Sequence, residues 1–169
     1  MKKRSLYLDV NFRIVVAILI VTYAILFSSY FEYPLTEKQA GAFPIHHWAS
    51  IIGFSAIVLF NPVYSIIKRK YPATYKTLFN LHIYINLIAF LAVSIHFGHH
   101  VVEEIDPVID TGTGYLQYSV VTLLIATGIL RRFQLAPGQR KVWRFLHESL
   151  SLTLLIFVIG HILRAFRIM

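Results

Sequence analysis

Four histidines carry the chemistry of this chain. His82 and His96 lie in one apolar stretch, His147 and His161 in another, and each pair is separated by fourteen residues. Fourteen helical steps fall about 40° short of four turns, so each pair shares a helix face with its members about 21 Å apart. Ionisable side chains inside apolar segments are costly and mark functional sites. Imidazoles facing one another across a helical bundle can hold a haem iron from both axial sides, and an apolar slot suits the macrocycle. Zinc fits less well, because a structural zinc site needs four close ligands and a facing pair offers two. The plainer alternative is a set of core histidines bonding neighbouring helices, as polar side chains do in membranes. Repetition of one spacing on two segments argues against it.

The elements that position these residues follow from composition. Of 169 residues, 57% are hydrophobic and 14% charged, with a mean hydropathy of +0.64. Soluble domains run at about 45–50% apolar and about 25% charged, so an ordinary soluble enzyme is excluded. Five apolar stretches, Phe12–Phe31, His47–Ile67, Leu78–Val102, Tyr115–Leu130 and Val142–Phe166, each approach the roughly 20 residues that cross a bilayer. The expected fold is all-α, an integral membrane bundle of five transmembrane helices forming a single haem-binding domain over residues 1–169. The first stretch is too long for a cleaved signal peptide and lacks a small-residue cleavage site. Connections are short and carry Pro34, Pro44, Pro72, Pro107 and Pro137, which break helices. Cysteine is absent, which removes disulfides, iron–sulfur clusters and thiol catalysis.

The net charge of +8 is a topology signal. Lys2, Lys3, Arg4 and Arg13 flank the first span; Lys68, Arg69, Lys70 and Lys76 fill the second connection; Arg131, Arg132, Arg140, Lys141 and Arg144 fill the fourth. Thirteen of the sixteen basic residues therefore fall on one side. The first connection holds Glu32, Glu37 and Lys38, and the third holds Glu103, Glu104, Asp106 and Asp110 without a basic residue. The positive-inside rule then places the N-terminus in the cytoplasm and the C-terminus outside the plasma membrane. Nucleic-acid binding is not expected. The third and fifth spans run parallel in this topology, so His82 and His147 sit at one height and His96 and His161 at the other.

At this point the sequence resembles the ferric-reductase-like transmembrane domain. The resemblance rests on fourteen-residue His spacings in the third and fifth spans, carried by LFNLHIYINLIAFLAVSIHF (Leu78–Phe97) and WRFLHESLSLTLLIFVIGHIL (Trp143–Leu163). That group includes NADPH oxidases, ferric and cupric metalloreductases, and the haem-binding subunit of a methionine sulfoxide reductase system. The resemblance implies two b haems with bis-histidine ligation, His82 and His147 holding the inner one and His96 and His161 the outer. Many members have a sixth span, and the oxidases and reductases continue into a flavin- and NADPH-binding domain. This chain shows neither, so its electrons are expected from a separate flavoprotein or from quinol.

Arg132 and Arg144 are candidates for contact with haem propionates, with positive-inside bias as the alternative. Phe90 and Phe157, midway between the ligand heights, are candidates for packing between the haems, with ordinary aromatic packing as the alternative. His46, His47, His99 and His100 with Glu103 and Glu104 form an imidazole–carboxylate set suited to a metal ion at the outer end. An interfacial polar collar is the plainer reading of that set. Glu148 is expected to pair with Arg144 or a ligand imidazole, and Asn80 and Asn86 to make helix contacts. The expected function is electron transfer across the membrane to a metal ion, an oxygen species or a partner protein. A quinone-linked or superoxide-oxidising cytochrome b is the alternative within electron transfer. A non-redox, His-lined metal or proton transporter is the alternative from another class.

Overall fold

Asp9 starts the first helix. Its carboxylate accepts from the Asn11 amide at 2.8 Å, satisfying one of the donors that a helix N-terminus leaves open. The computed structural model describes residues 9–30, 38–103 and 112–165. Expectations on Lys2, Lys3, Arg4, Glu32, Glu37, Glu104, Asp106, Asp110 and the ends of the first and last apolar stretches lie outside the described residues, as does the Glu103 side chain. The protein is all-α apart from one short hairpin. It divides into two compact units, Met1–Glu103 and Glu104–Met169.

In the first unit, α1 (Val10–Tyr30) and α2 (Ile45–Ser55) both pack on α4 (Tyr75–Glu103). A hairpin of β1 (Gln39–Ala40) and β2 (Phe43–Pro44) leads directly into α2. Gly41 supplies the positive φ of 73° at its turn, a conformation that costs glycine nothing. The Trp48 indole donates to the Ala40 carbonyl at 2.7 Å, tying the hairpin to the helix. A π-turn, Ala56–Phe60, joins α2 to α3 (Asn61–Lys70) without breaking the rod. Pro62 gives the reason: its ring collides with the carbonyl four residues back and it has no amide hydrogen, so the helix widens ahead of it. Gly53 lets the rod approach α4 closely, since a Cβ there would stand 2.8 Å from Val93 Cγ2 and 2.9 Å from the Ala89 carbonyl. The core of this unit is Val15, Leu87, Ala89, Phe90 and Val93, with Thr22 and Ser94 turned onto their own helix carbonyls.

In the second unit, α5 (Gly112–Arg132) packs along α6 (Arg140–Ala165). α5 ends with Gln134 in the left-handed region at φ 52°, and the Leu135 amide returns to the Leu130 carbonyl at 3.1 Å. This six-to-one closure is a Schellman motif, with glutamine where glycine is usual. Gln117, Val121, Leu124 and Thr127 form the buried side of α5, and Leu154 and Val158 are buried on α6.

Among the described residues, four helical stretches are long and apolar enough to cross a membrane: Val10–Ser28, Ile45–Lys70, Pro72–Val101 and Pro137–Arg164. α5 is the fifth rod of the expected five and stands outside these four. Its 21 residues would span, but Gln117, Tyr118, Ser119, Thr122 and Thr127 dilute its apolarity. Ile20 and Phe27 on α1, Leu59 and Ile66 on the second rod, and Leu152 and Ile156 on α6 are all exposed. Apolar surface repeated on every rod is what lipid, not water, accommodates. The chain is a membrane protein.

Candidate functional site

Each unit contributes one helix of the His-x13-His pattern. On α4, His82 is half-buried and its ring lies flat on Tyr64 of α3, with centroids 4.4 Å apart and planes 17° off parallel. One turn further along α4, the Asn86 amide nitrogen lies 3.2 Å from His82 Nδ1 and donates to the His82 carbonyl at 2.7 Å. Asn86 also exchanges two 3.0 Å hydrogen bonds with Asn61. The expected helix contact of Asn86 is therefore found, together with a role beside His82. The π-turn governs this contact, because it sets the rotation at which Asn61 and Tyr64 meet α4. Lys68 reaches back over the Tyr64 ring at 4.9 Å.

On α6, His147 is half-buried. Its Nδ1 lies 3.2 Å from the Leu124 carbonyl and 3.2 Å from Thr127 Oγ1, both on α5. Gly128 lies against the same ring, and a Cβ there would stand 3.2 Å from His147 Cε1 and 3.7 Å from Nδ1. Sequence reasoning missed Leu124, Thr127 and Gly128, and also Tyr64 and Asn61. A carbonyl partner leaves no side-chain signature. Pro62, inside an apolar stretch, was the one available sign of the π-turn.

One end of the first unit gathers five imidazoles, one more than the set of four expected there. His46 and His47 open α2, and His96, His99 and His100 lie near the end of α4. His46 stacks on His99 with centroids 3.7 Å apart and planes 20° off parallel. His96 stands 4.6 Å from His100 and 6.0 Å from both His46 and His47. His46 and His99 are buried. The histidines lie together face to face or face to edge. Among the described residues no group of three or more side chains is placed to hold a metal ion. Coordination needs nitrogen lone pairs aimed at one point, and stacking aims the ring faces instead.

The remaining candidates separate by burial. Phe90 is fully buried and meets Tyr23 edge-on at 6.5 Å, whereas Phe157 is exposed. The Phe157 carbonyl accepts from the buried Gln117 amide at 2.8 Å, one turn before His161. His161 is half-buried on α6. Arg132 is half-buried, its guanidinium carbon 5.5 Å from the Phe133 ring, while Arg144 and Glu148 are exposed.

The fold and its histidines define a helical membrane protein with imidazoles set within its apolar segments. No family model, curated protein or solved structure matches the chain.

Proposed function

We propose that this protein is a di-haem membrane cytochrome b that carries electrons across the plasma membrane, from a cytoplasmic donor to an outer acceptor. The observation that carries the reading is the setting of His147. Thr127 already donates its hydroxyl hydrogen to the Leu124 carbonyl at 3.0 Å, so both oxygens near Nδ1 are acceptors and Nδ1 must carry the proton. Nε2 is then the ring nitrogen that would ligate a metal. This is the arrangement in which ligating histidines are held, with the second ring nitrogen donating to a carbonyl. Gly128 fits the same purpose, since any larger residue would crowd the ring.

His82 and His147 would serve one haem and His96 and His161 the other, a pairing that follows from equal spacing along α4 and α6. Bound haem supplies one-electron chemistry. The chain supplies axial nitrogens, apolar walls and, at Arg132 and Arg144, cations for propionates. Phe90 and Phe157 are the residues between ligand heights on each helix. The donor is a separate flavoprotein or quinol, and the acceptor a metal ion, an oxygen species or a partner protein. The resemblance to ferric-reductase-like domains supports this direction of flow, as does the basic cluster around the expected cytoplasmic connections.

A visible spectrum of the purified full chain, with a pyridine haemochrome assay, tests the reading. About two b haems per chain are expected from four axial imidazoles. A colourless protein that retains stoichiometric zinc would refute it in favour of a His-lined transporter.

A further inference from the structure

Leu59, Val63 and Ile66 on the second rod are exposed at 67%, 48% and 64%, and the stripe they form ends in exposed Lys70. Steps of four, three and four residues return to nearly the same face of a helix, so these four side chains line up along the rod. From Leu59 to Lys70 is about 16 Å along the axis, close to the roughly 15 Å of hydrocarbon in one leaflet. An apolar stripe one leaflet deep that runs into a cation has the outline of a phospholipid, acyl chain first and headgroup last.

The charge at that end is of one sign. Lys68, Arg69, Lys70 and Lys76 flank the turn from α3 into α4, and no acidic residue occurs between Glu37 and Glu103. Every residue from Arg69 to Thr77 is exposed. The turn itself is ordered: the Tyr71 amide donates to the Ile67 carbonyl at 2.8 Å, and the Thr74 amide and hydroxyl both donate to the Tyr71 carbonyl, at 3.1 and 2.8 Å. Two ammonium groups rest on aromatic faces, Lys68 over Tyr64 at 4.9 Å and Lys70 over Tyr71 at 5.5 Å. A cation held in this way keeps hydrogens for a further acceptor and loses less side-chain freedom when it takes one. Tyr71 and Tyr75 are exposed, as tyrosines at a membrane–water boundary are.

We propose that the corner between α3 and α4 binds one anionic phospholipid, its acyl chain along Leu59, Val63 and Ile66 and its phosphodiester at Arg69 and Lys70. Topology alone also gathers positive charge at a membrane edge; the continuous stripe on one helix face is what separates a lipid site from a diffuse collar. The inference is independent of the haem reading and of the direction in which the chain is inserted.

Native mass spectrometry of the delipidated full chain in detergent tests this, by titration with dioleoylphosphatidylglycerol and, separately, with dioleoylphosphatidylcholine. The parent chain should take its first anionic lipid at a lower concentration than its first neutral one. A cation beside the membrane strengthens anionic-lipid binding by about fivefold, so Arg69→Gln with Lys70→Gln should weaken phosphatidylglycerol by about 25-fold and leave phosphatidylcholine nearly unchanged. Arg140→Gln with Lys141→Gln removes the same charge from exposed positions of the second unit and should leave that first lipid nearly unaffected. Ile66→Ser keeps the charge and should weaken both lipids. All of these positions are exposed, and an unaltered thermal melt reports that each variant is folded. Equal weakening by the two charge-removing pairs would mean diffuse attraction and overturns the inference. So does displacement of the lipid by millimolar inorganic phosphate, which would mean an anion site without an acyl part. Unchanged binding in the Arg69, Lys70 variant also overturns it, and leaves the corner to an acidic protein partner.

Discussion

Gly128→Ala puts a methyl group against the ring of His147. The added Cβ would lie 3.2 Å from Cε1 and 3.7 Å from Nδ1, whereas unstrained carbon contacts prefer about 3.5–4.0 Å. The imidazole must therefore retreat by a few tenths of an ångström. Its Nδ1 contacts, at 3.2 Å to Leu124 and Thr127, already stand at the long end of the hydrogen-bond range, so this retreat breaks them. One net hydrogen bond is worth about 1 kcal/mol, or about fivefold in haem affinity, and loss of a ligand's outer partner costs about 10- to 100-fold elsewhere. Haem transfer from the detergent-solubilised variant to excess apomyoglobin should accelerate by at least about fivefold. Alanine is a better helix former than glycine by about 1 kcal/mol, so the helix itself should not weaken, and circular dichroism at rising temperature checks that. Unchanged haem retention in a folded Gly128→Ala protein would refute the argued role of the glycine.

Gly53→Ala should destabilise the first unit by about 1–3 kcal/mol, because backbone and not only a flexible side chain blocks the new Cβ; a melting temperature equal to that of the parent chain would contradict it. Replacing any one of His82, His96, His147 and His161 by Ala should remove one low-spin haem signal and leave the other largely intact; two unchanged haem signals would contradict the ligand assignment. The double variant His99→Ala, His100→Ala should keep both haem spectra, since face-to-face imidazoles are not poised as ligands; loss of the outer haem would move its ligation from His96 to one of these residues.

What the sequence made legible was whatever depended on periodicity and apolar length. Each of the five stretches falls within a helical rod wherever its residues are described, and the histidine spacing is a property of single helices. What it concealed depended on contacts between helices. Asn61 and Asn86 are 25 residues apart in the chain, and neither hints at the other. The hairpin before α2 was hidden because two-residue strands have no period to detect, although Gly41 marked its turn. The outer histidines were found, but ring orientation lies beyond any spacing rule, and orientation separates a stacked cluster from a metal site.

α5 carries the topology. Read by average hydropathy it falls short of the other four rods, and four crossings would leave both termini on one side. Its polar residues are distributed unevenly, however. Gln117 and Thr127 are buried at 5% exposure each, while Leu116 and Leu123 are exposed at 57% and 54%. Polar inside and apolar outside is the pattern that lipid imposes on a span, since an uncompensated polar group facing hydrocarbon costs several kcal/mol. The Gln117 amide meets the Phe157 carbonyl, and the Thr127 hydroxyl meets the Leu124 carbonyl. Two of the residues that lower the average, Gln117 and Thr127, are thus directed away from lipid, which is what a fifth crossing by α5 would require. The C-terminus should then lie outside and the N-terminus in the cytoplasm, in keeping with the basic connections. The cysteine-free sequence suits a direct test with Ser5→Cys and Met169→Cys single variants and an impermeant maleimide applied to intact cells. Labelling of Met169→Cys alone is expected. Protection of both positions would mean that α5 does not cross, whatever its length.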